Sequence, residues 1–161
     1  MRVSLVDLET QHRALLPALR DAFDRVTRSA RFVGGSEVES LEAAVAARTG
    51  ARHAVGCGSG TDALILALLA EGVGPGDEVI VPALSFFSTA GAVALLGAQP
   101  IFADIDAETF GLDPRSAVEC AERCTRLRAV IPVHLYGGPT PLDELRTLAA
   151  RERAGGSTGC S

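Results

Sequence analysis

Short apolar segments alternate with helical segments along most of this chain, and that alternation constrains the fold more than any other feature. The clearest strand is 78–81, a continuous apolar run that Pro82 ends. Other strands are predicted at 54–56, 100–103 and 129–133, with helices at 61–71, 86–96, from Pro114 to about Cys124, and at 141–153. Apolar strands separated by helices indicate a parallel sheet that is covered on both faces. The predicted fold class is therefore α/β, with a three-layer, mostly parallel sheet.

The first fifty residues show a helical pattern without strands. Leu15, Leu19, Phe23 and Val26 recur at helical spacing and predict an amphipathic helix over 12–28. A turn at 32–35 follows, and Ser36 with Glu39 predicts a capping box at the start of a second helix that ends near residue 48.

We expect one domain over 1–153, divided into N-terminal helices (1–50) and alternating strands and helices (54–153). Residues 154–161 are rich in Gly, Ser and Thr and are predicted to be a disordered tail.

Charge and hydropathy exclude several classes of partner. The net charge is -5 and the pI is near 5.2, so no basic surface favours nucleic acid or an anionic membrane. No apolar run reaches the roughly 18 residues that a membrane helix needs, and Asp7 and Glu9 come too early for a signal peptide. The sequence predicts a cytoplasmic protein.

The cysteines predict neither a disulfide framework nor a metal site. Four are present, without a CxxC pair or a His-rich partner segment. Cys120 and Cys124 lie four residues apart on a predicted helix, but two ligands are too few for a metal ion. We expect all four to be reduced, structural thiols.

The loops after the strands carry the candidate chemistry, because open parallel sheets bind ligands beyond the carboxyl ends of their strands. The loop from Gly56 to Asp62 contains three glycines and Ser59, and it runs directly into a helix. Free N–H groups and the helix dipole at Gly60 and Thr61 favour a phosphate group. The alternative is a glycine-rich turn that Ser59 or Thr61 caps.

Two nucleotide-binding motifs fit this loop less well. No GK[ST] sequence is present, as a P-loop would require. The glycines are spaced GxGxG rather than GxGxxG, and the next strand ends in Pro82 instead of an acidic residue. A nicotinamide-dependent oxidoreductase therefore remains only as an alternative of lower rank.

Three further strand ends carry candidate residues. Phe86 follows 78–81 and can stack on a flat ring, or it can belong to the core. Asp104 and Asp106 place two carboxylates on one side of an extended segment, where they can bind a cation or simply be solvated turn residues. His134 and Tyr136 are predicted on one face, and His134 is a pocket residue or a hydrogen-bonded structural histidine.

Taken together, these segments resemble the pyridoxal-phosphate (PLP)-dependent sugar aminotransferases of the DegT/DnrJ/StrS type, a fold type I family. The resemblance runs from about Val3 to Arg151. The segments that carry it, in order, are FVGG at 32–35, GSGTDAL at 58–64, GPGDEVIVP at 74–82, FADID at 102–106 and VHLYG at 133–137.

The resemblance implies a role for several residues. Ser59, Gly60 and Thr61 would bind the PLP phosphate, and Phe86 would stack on the pyridine ring. The segment with Phe32 and Gly34 would lie near an active-site entrance between two subunits, and His134 and Tyr136 would contact the substrate or the subunit interface. The implied substrate is a keto-sugar or related cyclic ketone, with glutamate or glutamine as amino donor, in amino-sugar or secondary-metabolite (antibiotic) biosynthesis. The implied assembly is a homodimer or a dimer with a full-length homologue.

This sequence departs from the family in ways that affect catalysis. Gly138 stands where the family usually has Gln, and all fifteen basic residues are arginine, so no lysine is present. We expect an incomplete large domain that lacks the family's lysine segment, the carboxylate partner of the pyridine nitrogen and the small C-terminal domain. With no catalytic lysine, the chain is predicted to bind PLP weakly and non-covalently and to be inactive alone. A non-catalytic partner subunit and a fragment of a pyridoxamine-phosphate-dependent dehydratase remain as alternatives.

Overall fold

The structure, a computed structural model, describes residues 6–155, with side chains to residue 150. It divides into two compact units, Met1–Gly56 and Cys57–Ser161. The first contains helices α1 (Leu8–Ser29) and α2 (Ser36–Thr49). The second contains, in chain order, α3 (Gly60–Ala70), β1 (Glu78–Pro82), α4 (Ser88–Leu95), β2 (Gln99–Ala103), α5 (Pro114–Ala121), β3 (Leu127–Val130), a 3-10 turn (Leu135–Gly137) and α6 (Leu142–Gly155). Residues 154 and 155, which were predicted to belong to a disordered tail, are helical, since α6 runs to Gly155. The rest of the predicted tail, residues 156–161 with Cys160, lies outside the described part.

The predicted capping box at Ser36 is wrong. Gly35, with φ of 99°, is the N-cap of α2, and no side chain caps this helix. Ser36 is already the first helical residue, and the N–H of Glu39 donates to the carbonyl of Gly35. The glycine takes the N-cap position because its missing Cβ allows the positive φ at which the chain enters the helix.

The strand predicted at 54–56 is also wrong. None of the strands in the described residues pairs with this segment, and the side chain of Val55 is 80% exposed. The N–H of Gly56 donates to the carboxylate of Glu42 at 2.7 Å instead of to a neighbouring strand. A strand needs a hydrogen-bonded neighbour, and an apolar sequence does not supply one.

The second unit forms the predicted parallel sheet, with strand order β2-β1-β3. Alternate residues of the central strand β1 face opposite sides. Val79 and Val81 pack with residues of α3 and α4, while Ile80 packs with residues of α5 and α6. Both faces of β1 are therefore covered by helices, as the apolar run predicted.

At the amino end of the sheet, Glu78 joins β1 to β3. One of its carboxylate oxygens accepts from the backbone N–H of Thr125 and of Arg126, each at 2.7 Å. Donation from the Arg126 N–H lowers the pKa of Glu78 below its usual value. These bonds lie next to the register shift between Glu78 and Val79, where the pairing of β1 with β3 is irregular.

Among residues 6–155, no helix combines the length and the apolar composition that a membrane-spanning segment requires.

Candidate functional site

The carboxyl ends of all three strands lie at one edge of the sheet, because the strands are parallel. The N-terminus of α3 lies at this edge as well. The short turn at 72–77 reverses the chain between α3 and β1, and the helix packs alongside the strand that follows it. The loop at 57–61 and the loops after β1, β2 and β3 thus belong to the same edge, where ligands of open parallel sheets bind.

Ser59 caps α3. Its hydroxyl oxygen accepts from the N–H of Asp62 at 3.1 Å, and the hydroxyl donates to the Asp62 carboxylate at 2.9 Å. An added Cβ at Gly58 would lie 2.9 Å from that carboxylate, so a larger residue there would require the Asp62 side chain to shift. The predicted turn capped by Ser59 is confirmed. The hydroxyl proton is used within the loop, and the predicted role of Ser59 in binding a cofactor stays a prediction.

The backbone N–H groups of the next two residues, Gly60 and Thr61, are unpaired within the described residues. The N–H groups of Gly60 and Thr61 donate to no acceptor within residues 6–155, whereas those of Asp62 and Ala63 are used by Ser59. A Cβ added at Gly60 would meet nothing within 4 Å, so the backbone there is open to close approach. Free N–H groups at the start of an 11-residue helix fit a phosphate group, since the helix dipole also favours negative charge there.

Phe86 lies in the loop between β1 and α4, because α4 begins at Ser88, two residues later than predicted. Its side chain is 76% exposed. The neighbouring Phe87 packs over α4, with its ring 3.1 Å from the Cβ position of Gly91. Phe86 is therefore not a core residue, and its free ring fits a flat heteroaromatic partner.

Asp104 and Asp106 do not form a pair of free carboxylates. One oxygen of Asp106 accepts from the N–H of Glu108, the N–H of Thr109 and the hydroxyl of Thr109. Thr109, chiefly through its N–H, lowers the pKa of Asp106. Asp104 accepts from the N–H of Ile105. Both are turn residues, and no group of three or more His, Cys, Asp or Glu residues within 6–155 could hold a metal ion.

His134 and Tyr136 do not share a strand face, because β3 ends at Val130 and both residues lie at the 3-10 turn. His134 accepts a hydrogen bond at Nδ1 from the N–H of Thr140 at 3.1 Å, as predicted for a structural histidine. Tyr136 has φ of 53° and is 97% exposed. Both residues belong to this turn, and the prediction that they share one face of a strand is wrong.

In the first unit, Phe32 is 70% exposed, and Gly34 has φ of 66°. Gly34 lines a cavity of about 300 Å³ together with Arg25, Ser29 and Arg31. The neighbouring Glu37 also lines it and pairs with Arg25 at 2.8 Å, which lowers the pKa of Glu37.

Two residues of the site were missed from the sequence. Asp62 was not expected to hold Ser59, although the spacing S-x-x-D just before an apolar helix is a capping signal. Thr140 was not expected to bind His134, since nothing in the pattern connects the two positions.

Comparison with known proteins adds the family. The DegT/DnrJ/EryC1/StrS aminotransferase family matches residues 17–154. The chain is 47% identical over 151 residues to a "pleiotropic regulatory protein" of Geobacillus stearothermophilus, covering 94% of this chain and 40% of the relative. It is 40% identical over 149 residues to the UDP-2-acetamido-2-deoxy-3-oxo-D-glucuronate aminotransferase of Pseudomonas aeruginosa, covering 92% and 41%.

The fold has a close match among solved structures. The crystal structure of DesV from Streptomyces venezuelae, in complex with a ketimine intermediate, aligns with a TM-score of 0.89 and 42% identity, covering 94% of this chain and 40% of DesV. The fold is that of part of a fold type I aminotransferase. The chain spans about two fifths of the length of these relatives.

Proposed function

Because the chain belongs to the DegT/DnrJ/EryC1/StrS aminotransferase family, we propose that it supplies part of the PLP-binding large domain of a sugar aminotransferase. This part comprises residues 1–153, with N-terminal helices followed by alternating strands and helices. The observation that carries the proposal is the open N-terminus of α3, where Gly60 and Thr61 offer free N–H groups to a phosphate.

The residues present fit one end of PLP. Gly60 and Thr61 would bind the phosphate through their N–H groups and the Thr61 hydroxyl, and Ser59 would hold the loop in shape. Phe86 would stack on the pyridine ring and orient it. PLP, when bound, supplies an electron sink for a substrate carbanion.

The same residues do not provide a covalent attachment. No lysine occurs among the 161 residues, so this chain offers no side-chain amine for PLP to bind or for moving a substrate proton. Phosphate and ring contacts alone would give weak, non-covalent binding.

The names of the relatives support a proposal for the substrate class. The Pseudomonas aeruginosa relative is named as an aminotransferase of a UDP-linked 3-oxo sugar. We propose a nucleotide-linked keto-sugar as substrate, with glutamate or glutamine as amino donor, in a cytoplasmic pathway. A dimer, with Phe32, Gly34, His134 and Tyr136 at the substrate or subunit interface, is part of this proposal.

The isolated chain is expected to catalyse no transamination, because it has no lysine. The measurement is amino transfer from glutamate to a nucleotide-linked keto-sugar by highly purified chain with PLP added. A mock preparation, purified in the same way from cells that do not express the chain, serves as control for a contaminating enzyme. A rate that exceeds this control and scales with the amount of wild-type chain would refute the expected inactivity.

Thr61→Ala is expected to weaken non-covalent PLP binding by about tenfold, since one charge-assisted hydrogen bond to phosphate is worth about 1.5 kcal/mol. The measurement is titration of the chain with PLP followed by absorbance. Thr147→Ala is the matched control, because Thr147 lies on α6 and, within the described residues, its hydroxyl donates to the Asp143 carbonyl alone. Equal affinities for wild type and Thr61→Ala would remove Thr61 from the phosphate site.

A further inference from the structure

The turn that follows β3 is closed by a bond from the backbone to a histidine ring. The N–H of Thr140 donates to Nδ1 of His134 at 3.1 Å. The Thr140 hydroxyl, on a residue only 7% exposed, donates to the carbonyl of Val133 at 2.9 Å. Two adjacent residues at the start of the turn are thus bound by one residue at its end.

The middle of the turn has a backbone conformation that needs support. Tyr136 has φ of 53° and Gly137 has φ of 84°. Positive φ is unfavourable for a residue with a Cβ, and Tyr136, being 97% exposed, gains little from side-chain packing. The bonds around it, from Gly137 N–H to the His134 carbonyl and from Gly138 N–H to the Leu135 carbonyl, hold the turn in this form.

The Thr140 bond determines where His134 carries its proton. A backbone N–H can only donate, so Nδ1 must present its lone pair, and the proton of the neutral ring is on Nε2. In this state neither ring nitrogen has a free lone pair. The ring can donate from Nε2, but it can accept a proton or ligate a metal only by giving up the bond that closes the turn.

We propose that His134 is a positioning residue that locks the turn at 133–140, so that Tyr136 is presented at the carboxyl edge of the sheet. Beside Tyr136, His134 offers a ligand an N–H donor and not a base. The matching group on the ligand is an acceptor oxygen, such as a sugar hydroxyl, a carbonyl or a phosphate. This second half rests on the proposed function, whereas the lock and the tautomer do not.

The first test is the tautomer in the ligand-free chain. Long-range ¹H–¹⁵N spectra at a pH of about 8, where an ordinary histidine is neutral, distinguish the two protonated nitrogens. We expect His134 to be in the Nε2–H form alone. His12 and His53 are internal references, because residues 6–155 supply no hydrogen bond to their rings. A His134 spectrum that matches the mixture at His12 and His53, or shows Nδ1–H, overturns the proposal.

The second test asks whether the hydrogen-bond acceptor at position 134, rather than the imidazole ring itself, holds the turn. His134→Leu removes the acceptor, and the Thr140 amide should exchange with deuterium about tenfold faster, while the Tyr136 Cα and Cβ shifts move towards unfolded values. His134→Asn keeps an acceptor oxygen near the position of Nδ1 and should restore both readouts to within about threefold of wild type. His53→Leu is the control and should change neither.

Protection of Thr140 that persists in His134→Leu would overturn the lock. If His134→Leu does not fold, the tautomer of the wild-type chain and the Asn variant decide the question. Neither readout depends on PLP, so failure here is distinguishable from failure of the proposed function.

Discussion

Ile80→Ala is expected to lower the free energy of unfolding of the chain by about 3 kcal/mol, within the range of about 2–5 kcal/mol for truncating a buried isoleucine to alanine. Ile80 lies on the central strand and its side chain has no exposed surface. It packs in one cluster with Leu112, Ala117 and Leu145, from segments that follow it by 30 to 65 residues. These neighbours are held by separate elements and cannot all close over the cavity, so both the lost burial and the cavity contribute.

The measurement is urea unfolding of the wild type and the variant, with the slope compared to check that both unfold in one step. Leu95→Ala is the matched control. It also truncates a large apolar residue, but Leu95 lies on the last turn of α4 and is 71% exposed. We expect that control to cost less than about 1 kcal/mol. Equal losses in the two variants would mean that the sheet is not the core of the folded chain.

The sheet was predictable because its signals are local and strong. A run of apolar residues ended by a proline, as at β1, indicates a strand buried on both faces whatever its neighbours are. The glycine-rich turn at 72–77 sets the start of this strand, and Pro82 sets its end. The same local rules placed each strand of the sheet to within about three residues.

The two wrong predictions for the fold concern a strand without a pairing partner and the residue that caps a helix. Residues 54–56 have the composition of a strand, but pairing is a long-range property and no strand in the described residues pairs with them. The capping signal at Ser36 with Glu39 can be compared with the one at Ser59 with Asp62. Only the second is used, because Gly35 already occupies the N-cap of α2. The capping motif shows which side chains could cap a helix. Whether they do so depends on which residue takes the N-cap position, and at α2 that residue is Gly35, with φ of 99°.

In the candidate site, too, the features that depend on local sequence could be predicted, and those that depend on the shape of a turn could not. The open donors of Gly60 and Thr61 follow from their place as the first two residues of a helix, and the glycine-rich segment before an apolar run is a local pattern that predicts that place. The bond between His134 and Thr140 joins residues on two sides of a turn whose shape depends on the positive φ of Tyr136. No periodicity predicts that conformation for a tyrosine, so its geometry is visible only in the structure.

Gly60→Ala is expected to separate binding from stability at the site. Gly60 is the first residue of α3, its φ lies outside the left-handed region, and an added Cβ meets nothing within 4 Å. The substitution should leave the free energy of unfolding unchanged or raise it by about 0.5 kcal/mol, because alanine restricts the unfolded chain. We expect the new methyl group to hinder a phosphate that approaches the free N–H groups, because the space around this position is now open. Affinity for PLP and for inorganic phosphate should therefore fall at least about tenfold, a loss of about 1.4 kcal/mol.

Gly74→Ala is the matched control, because Gly74 also has open space around its Cβ position and no positive φ, yet lies in the turn before β1. Its stability should change as little, and its phosphate affinity should equal that of wild type. The measurements are urea unfolding and ¹H–¹⁵N spectra during titration with phosphate and then PLP, where the amides of Gly60 and Thr61 should shift most. If those amides do not respond, or if Gly60→Ala binds as tightly as Gly74→Ala, the N-terminus of α3 is not the phosphate site. A loss confined to Gly60→Ala, with stability intact, would leave the backbone of this loop as the element that holds the phosphate.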